Sequence, residues 1–96
     1  MTATEKLIKN LISSTTVKAG EILVNSEGQK YRYDEYRSKY KFTPYWLEQL
    51  FYDAAKENNK EFQNRFSWKE YSFYFDRAKF KGQRNGNIQF NKLVIL

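Results

Sequence analysis

The side chains of this chain that could do chemistry are mainly cations and aromatic rings. Seventeen of the 96 residues are Lys or Arg, and the chain has eight Phe, eight Tyr and two Trp. The two kinds of side chain are interleaved in residues 30–42 and again in residues 74–81. Cations neutralise phosphates and rings stack on bases, so the mixture is typical of a surface that binds nucleic acid. Large rings also build the core of a short chain, and most of the Phe residues suit that use.

Several common kinds of site are excluded by residue type. The chain has no His and no Cys, so it cannot form a Cys/His zinc site, a His-activated nucleophile or an imidazole general base. Its four glycines form neither of the usual glycine-rich phosphate-binding loops. The adjacent carboxylates Asp34 and Glu35 are flanked by Arg32 and Arg37, which indicates charge compensation rather than a metal cage. We therefore expect a non-catalytic protein with no cofactor and no metal.

The net charge of +6 is unevenly distributed along the chain. Residues 1–42 hold eight Lys or Arg against five Asp or Glu, and residues 67–96 hold six against two. Residues 43–66 hold three against four. Attraction between opposite charges therefore predicts that the two outer parts of the sequence face a polyanion or an acidic partner.

Length and patterning predict one soluble domain over residues 1–96. There is no repeat, low-complexity tract or linker, and the length suits a single modest core. Lys6, Lys9 and Asn10 interrupt the N-terminal apolar stretch, which is unlike a signal peptide, and no segment has the length of a membrane span. We expect a cytoplasmic protein without a membrane partner, located in the host cytoplasm if a phage encodes it.

The first third of the chain predicts a helix followed by a hairpin. Residues 3–13 have an apolar stripe at helical spacing, and Thr2 with Glu5 has capping-box spacing. Residues 21–33 then read as a strand, a turn at Asn25–Gly28 and a return strand. The tyrosines that follow, at positions 33, 36 and 40, are spaced as in one or two helical turns.

Thr43-Pro44 predicts the start of the second helix. Thr43 can cap it, Pro44 suits the first helical position, and Phe42 can pack against Leu47 as a hydrophobic staple. An apolar stripe then continues at helical spacing, so we predict a helix over residues 44–58.

Residues 67–81 carry signals for both kinds of secondary structure. Ser67 with Glu70 forms another capping box, Phe66 could staple against Tyr71, and Gly82 is placed as a C-terminal stop. The rings at positions 71, 73 and 75 alternate, which favours a strand. The positional signals favour a helix, and the strand stays open as the alternative.

The end of the chain completes an α+β prediction. Asn85-Gly86 is typical of a turn, and residues 87–96 read as a strand. We predict a small single domain in which amphipathic helices pack on a short antiparallel sheet. Four phenylalanines fall on apolar stripes or staples and are assigned to packing: Phe42, Phe51, Phe62 and Phe66.

Residues 33–51 resemble a helix-turn-helix unit. In that family a first helix ends at a tight turn and a Ser/Thr-Pro pair opens the recognition helix, as Thr43-Pro44 would here. The resemblance implies a winged-helix-like variant of the fold, with residues 70–95 as a basic wing. It also implies that the major groove is contacted by four side chains. These are Thr43, Tyr45, Trp46 and Gln49.

The leading functional hypothesis is a small basic protein that binds DNA or RNA through two basic-aromatic segments, residues 30–41 and 77–84. One tyrosine among Tyr31, Tyr33 and Tyr40 would stack on a base. The cations of the first segment are Lys30, Arg32, Arg37, Lys39 and Lys41. Those of the second segment are Arg77, Lys79, Lys81 and Arg84.

Two further classes stay open. An inhibitor of the anti-CRISPR or anti-restriction type, encoded by a phage or another mobile element, would bind an acidic host protein or a nucleoprotein. Its interface would use Tyr45, Trp46, Tyr52 and residues 77–84, because Tyr, Trp and Arg are common at interface hot spots. The chain is also similar in length and charge to RelE-type toxins, which implies RNA cleavage by Lys, Arg and Tyr without His.

Overall fold

The described residues form two helices and six strands. A computed structural model describes residues 1–39, 43–80 and 83–96, and the side chains of residues 78–80 and 83–85 lie outside this description. In chain order the elements are α1 (Ala3–Ser14), β1 (Thr15–Lys18), β2 (Ile22–Val24), β3 (Lys30–Ser38), α2 (Tyr45–Asn58), β4 (Arg65–Trp68), β5 (Tyr71–Phe80) and β6 (Gln83–Ile95). The predicted α+β class, with helices packed on an antiparallel sheet, is confirmed.

The six strands form one antiparallel sheet in the order β1-β3-β6-β5-β4. β2 pairs with the same edge of β3 as β1 does. Between the pairs Lys18↔Glu35 and Ile22↔Arg32 the register shifts by one residue. Residues 19–21 therefore form a β-bulge, which interrupts an edge strand that otherwise runs from β1 into β2.

Both helices pack on the same face of the sheet, which we call the covered face. Because side chains alternate along a strand, each strand sends every second residue to this face. The core contains five sheet side chains, Phe66, Phe73, Phe75, Ile88 and Phe90, and six helix side chains, Leu7, Leu11, Leu47, Phe51, Ala54 and Ala55. No helix lies over the other face among the described residues, and we call it the open face.

The helices predicted over residues 3–13 and 44–58 are confirmed. In α1 the hydroxyl of Thr2 accepts the Glu5 N–H, as the capping-box spacing predicts. At α2, however, Thr43 is not the cap, because its N–H and its hydroxyl both donate to the Gly86 carbonyl. Pro44 is the N-cap residue of α2 instead. Thr43 thus ties the start of α2 to β6, and the predicted staple to Phe42 lies outside the described residues.

The predicted hairpin around Asn25–Gly28 is confirmed, but its second strand is longer than expected. The prediction of helical turns after Tyr33 is wrong, because β3 continues to Ser38 with strand partners on both sides. Tyr36 stacks on Phe90 at 4.4 Å between ring centroids, and Tyr33 is on the open face. Residues 33–38 therefore do not supply the first helix that a helix-turn-helix unit needs.

The helix predicted over residues 67–81 is wrong, and the strand alternative is right. β4 and β5 form a hairpin whose two-residue loop is Lys69-Glu70, with Lys69 in the left-handed region at φ 51°. Ser67 is a strand residue rather than a cap. The strand forms because the alternation of rings places Phe73 on the buried face. There Phe73 stacks on Phe66 of β4, with ring centroids 4.6 Å apart.

The turn predicted at Asn85-Gly86 is also wrong, because both residues lie within β6. Gly86 is opposite Arg77 in the register, and the connection between β5 and β6 passes through residues 81–82, outside the described residues. The segment expected to be a peripheral wing therefore includes the middle of the sheet. The predicted strand over residues 87–96 is confirmed, with β6 extending it toward the N-terminus.

Two of the four phenylalanines assigned to packing are buried. Phe51 and Phe66 are in the core, whereas Phe62 is 54% exposed in the segment between α2 and β4. Its assignment to packing is wrong because no sheet or helix face is formed at that position to bury its ring. Phe42 lies outside the described residues.

Candidate functional site

The cross-strand register brings five side chains into one row across the open face. The row is Thr16 on β1, Arg37 on β3, Gln89 on β6, Tyr74 on β5 and Arg65 on β4. Neighbouring strands are about 4.8 Å apart, so the row spans roughly 19 Å. It combines two guanidinium groups, an aromatic ring and an amide on one surface.

A second polar row lies beside the first. It consists of Lys18, Glu35, Asn91, Ser72 and Ser67. A shallow groove of about 400 Å³ follows β4, β5 and β6, and its polar lining is Arg65, Ser67, Ser72, Tyr74, Gln89 and Asn91. These groups offer hydrogen-bond donors and acceptors to a ligand lying across the strands.

Three tyrosines present their rings on the open face. Tyr31 and Tyr33 are two residues apart on β3 and meet edge to face, with ring centroids 5.7 Å apart. Tyr33 is 46% exposed and Tyr74 is 37% exposed. The Arg65 guanidinium lies over the Tyr74 ring, 5.4 Å from its centroid. These exposed rings could serve as stacking platforms for planar groups of a ligand.

The cations of the open face are only weakly engaged. Arg37 is 3.7 Å from the Glu35 carboxylate, and the two side chains are 66% and 47% exposed. An exposed ion pair of this kind contributes little, so Arg37 can turn to an anionic ligand. Lys18, Arg37 and Arg65 are the cations on the described open-face strand positions, where the acids are Glu35 and Asp76.

Strand alternation divides the first predicted segment between the two faces. Arg32 points to the covered face, where its Nε donates to the Asp34 carboxylate at 2.6 Å. This hydrogen bond from Arg32 is the main cause that lowers the pKa of Asp34, and the Gly20 N–H adds to it. The charge of Arg32 is therefore compensated by Asp34 within the molecule. Lys30 is exposed at the start of β3, on the same side as Arg32.

Two more cations follow β3 in the sequence. Lys39 comes directly after the strand and is exposed, and its N–H donates to the Ser14 carbonyl at 3.0 Å. Lys41 lies outside the described residues. Of the five cations predicted in residues 30–41, the structure thus brings Arg37 together with the tyrosines of the open face.

The second predicted segment is anchored through Arg77. Its guanidinium donates to Glu48 at 3.0 Å and to the Tyr52 hydroxyl, both on α2. Glu48 is 4% exposed, so this ion pair compensates a buried carboxylate on the covered face. Lys79 and Arg84 are register partners in β5 and β6. Their side chains, and the whole of Lys81, lie outside the described residues.

The side chains predicted for the major groove are in a different place. Tyr45 and Trp46 are 66% and 56% exposed in the first turn of α2. Gln49 is exposed and donates to Asp53 at 3.1 Å. Because α2 covers the other side of the sheet, these three residues do not join Arg37 and Tyr33.

Five polar or aromatic residues of the open face were missed by sequence reasoning: Lys18, Arg65, Tyr74, Gln89 and Asn91. The available signal was the alternation of rings at positions 71, 73 and 75. Interpreted as a strand, it places Tyr74 on the opposite face from Phe73 and Phe75. The capping-box pattern at Ser67 and Glu70 predicts a helix instead, and a helix would not put Tyr74 on the open face.

No family model, curated protein or solved structure matches this chain. Neither helix in the described part of the chain is long and apolar enough to cross a membrane. In that same part, no group of three or more Asp or Glu side chains is arranged to hold a metal ion. The chemistry of the open face itself therefore carries the functional argument.

Proposed function

We propose that this protein binds single-stranded nucleic acid on the open face of its sheet. The observation that carries the proposal is the placement of Arg37, Tyr74 and Arg65 in one row across strands that no described helix covers. Tyr31 and Tyr33 extend the aromatic surface along β3.

The rings favour a single strand over a duplex. Base faces are free to stack on aromatic side chains only when the bases are not already stacked inside a helix. Tyr33 and Tyr74 lie on different strands, with β6 between them, so they can hold two bases of one strand passing over the sheet. Each such stack contributes about 1–3 kcal/mol by alanine substitution.

The polar side chains provide the other two kinds of contact. Lys18, Arg37 and Arg65 can neutralise phosphates along the same path. Gln89 and Asn91 lie between β3 and β5 and can exchange hydrogen bonds with base edges. Charge and stacking together make the surface suited to binding with little sequence preference.

The first test compares rings on the two sides of the molecule. Tyr33→Ala and Tyr74→Ala should each weaken binding to a fluorescent single-stranded oligonucleotide by about tenfold, since each removes one stack. Tyr45→Ala is the matched control, because its ring is also exposed but lies on α2. Fluorescence anisotropy at low salt measures the affinity, and thermal melting confirms that each variant is folded.

The comparison has clear contradicting outcomes. If the wild-type protein does not bind the oligonucleotide at low salt, the proposal is wrong. Loss of binding in Tyr45→Ala with no change in the other two variants would assign the interface to α2. When the oligonucleotide is RNA, gel electrophoresis of the RNA recovered after incubation also tests the RelE-type toxin hypothesis. That hypothesis predicts that the RNA is shortened by cleavage.

A second test uses the acid within the site. Glu35→Gln removes a charge that repels phosphate and releases Arg37 from its 3.7 Å pairing. It should tighten binding by about two- to fivefold at low salt, equivalent to a few tenths to 1 kcal/mol. Glu27→Gln, in the β2–β3 turn, changes the net charge equally. Equal tightening by both variants would show an effect of net charge alone.

A protein partner is a second candidate, favoured by the exposed rings of Tyr45 and Trp46. Adjacent exposed aromatic side chains of this kind are typical of interface hot spots. Affinity capture from a host extract, with and without nuclease, separates the two functions. A complex that resists nuclease and is lost in Trp46→Ala would support an inhibitor that binds a host protein.

A further inference from the structure

β2 is an edge strand whose three side chains are all exposed. Within the described part of the chain it has a strand neighbour, β3, on one side only. Ile22, Leu23 and Val24 are 61%, 41% and 59% exposed. An apolar edge strand of this kind is a template for pairing with another chain, because its backbone groups and its side chains both favour a further strand.

Other edge segments of the sheet carry features that oppose such pairing. β1 contains Lys18 and ends at the bulge over residues 19–21. β4, at the opposite edge, contains Arg65. Charged side chains and bulges commonly protect edges from unwanted partners. β2 has neither a charged side chain nor a bulge within its three residues. Its edge is therefore less protected against pairing with another strand than β1 or β4.

The backbone of β2 directs hydrogen-bonding groups outward at two positions. The Asn25 N–H donates to the Gln29 carbonyl at 3.0 Å, and this pair continues the register of Leu23↔Tyr31. Bonded pairs alternate along an antiparallel ladder. Leu23 therefore turns its N–H and carbonyl toward β3, whereas Ile22 and Val24 turn theirs away from it.

We propose that β2 pairs with β2 of a second copy of this chain, antiparallel and with the twofold axis at Leu23. In this register Ile22 of each copy lies opposite Val24 of the other. Both residues have outward backbone groups, so the two pairs exchange four N–H···O=C bonds. The same segment serves both copies, as a closed twofold interface requires.

The side chains are complementary in the same register. On the open face, the row Ile95, Tyr31 and Leu23 meets the same row of the second copy at Leu23. On the other face, Ile22 of each copy lies beside Val24 of the other. Ile95 is 56% exposed at the far end of this row, so it lengthens the apolar row without lying in the interface itself.

The charges near β2 do not oppose this pairing. Arg32 shares its row with Ile22, and Lys30 shares its row with Val24. In the dimer, Arg32 of one copy and Lys30 of the other are three strand spacings apart, roughly 14 Å. This distance exceeds the Debye length of about 8 Å at physiological ionic strength. Arg32 is also compensated by Asp34 at 2.6 Å.

The paired segment is short, so the interface is small. Three residues from each copy form the ladder, which places the dimer at the low end of interface sizes. We therefore expect an equilibrium between monomer and dimer that shifts with protein concentration, with a dissociation constant in the micromolar range or above. The dimer would also join the two open faces into one sheet surface.

Sedimentation equilibrium between about 1 μM and 1 mM tests the proposal, without nucleic acid present. The average mass of the wild-type protein should rise toward twice that of the chain. Ile22→Lys should weaken the dimer at least tenfold, since it places a charge in the apolar register. Val17→Lys is the matched control, because Val17 is 58% exposed on β1, beyond the bulge.

Val24→Pro provides an independent variant, because it removes an N–H that points away from β3 and should also give monomer. Thermal melting checks that each variant is folded. A wild-type protein that stays monomeric throughout, or a dimer that Ile22→Lys and Val17→Lys weaken equally, would overturn the assignment to β2. Since nucleic acid is absent, either result is separate from that of the ring variants.

Discussion

Gly86 has a role at the scale of a single residue that differs from the turn its sequence suggests. It lies within β6 on the covered face, opposite Arg77. A Cβ at this position would be 2.5 Å from Cζ of Phe75 and 2.9 Å from the Asp76 carbonyl oxygen. Phe75 is 2% exposed and packs against Phe51. Glycine is needed here because a buried ring occupies the space of a side chain.

Gly86→Ala should therefore destabilise the protein. Overpacking of a dense core costs about 1–3 kcal/mol, whereas alanine in place of an unconstrained glycine stabilises by about 0.4–1 kcal/mol. The sign of the change in the free energy of unfolding, measured in urea, distinguishes these cases. In a Phe75→Leu background the cost should fall, because the ring that the new methyl group would meet is gone. An undiminished cost would indicate that Phe75 is not the cause.

Arg77 shows how the environment of one residue decides the use of its charge. The sequence places it with three other cations in residues 77–84. The structure pairs it with Glu48, whose carboxylate would otherwise be buried without compensation. Reversal of the Arg77 charge would therefore test the stability of the fold more than binding. For this reason Arg77 is not among the residues substituted in the binding tests.

At the scale of elements, one carboxylate links the C-terminal end of α2 to the N-terminal end of α1. Glu57, near the end of α2, accepts the N–H groups of Ala3 and Thr4 and the Thr4 hydroxyl, at 2.9–3.3 Å. These hydrogen bonds, led by the one from the Thr4 side chain, lower the pKa of Glu57. A negative charge at the start of α1 also interacts favourably with the helix dipole.

Glu57→Gln should reduce stability by about 1 kcal/mol at neutral pH, as expected for a helix cap. Because its pKa is lowered in the folded state, the Glu57 carboxylate stabilises the fold above its unfolded pKa of about 4.3. That contribution is lost as pH falls through the folded pKa, so the two proteins should converge in acid. Urea titrations at several pH values measure the difference. Glu61→Gln is the control, and a pH-independent difference would contradict the assignment.

At the scale of the whole molecule, the fold is one layer of helices on one sheet. In the part of the chain that the structure describes, this arrangement buries the covered face and leaves the other for solvent or a ligand. Antiparallel sheets can have one wet face because hairpin connections, unlike the crossovers between parallel strands, do not place a helix over each face. The polar character of Gln89, Asn91, Ser72 and Ser67 fits exposure to water.

The open face should discriminate between forms of nucleic acid. Single-stranded oligonucleotides should bind more tightly than the matching duplex, because duplex bases cannot stack on Tyr33 and Tyr74. The log–log slope of affinity against salt should be near 2, at about 0.7 per phosphate contact for the cations Lys18, Arg37 and Arg65. Competition titrations at several salt concentrations measure both quantities. Tighter duplex binding would contradict the stacking argument.

Local signals predicted both helices of the fold, but they also predicted helix in two segments that are strands. α1 and α2 follow from periodicity and caps, such as Thr2 with Glu5, which act within four or five residues. The capping-box criterion failed at Ser67 and Glu70, where the pattern spans a hairpin loop. It failed because a capping box needs a helix to follow, and the rings of β5 are held by partners on β4 and β6.

The candidate site was predicted only in part for the same reason. Tyr31, Tyr33 and Arg37 belong to a segment that the sequence singles out. Arg65, Tyr74 and Gln89 come from three other strands and meet Arg37 only through the register of the sheet. Residue type indicates which side chains can bind an anion, but it does not indicate which of them share a face.

The sequence by itself determined the α+β class, both helices and a chemistry without His or Cys that is rich in cations and aromatic rings. These properties depend on composition and on patterns within a few residues. The tertiary structure decided that residues 67–81 are strands, that Arg32 and Arg77 are used internally, and that one sheet face is open. Each of these depends on partners distant in sequence, such as Tyr33 with Leu93 or Arg77 with Glu48. Pairing between distant strands is set by the packing of the whole core, which local patterns do not encode.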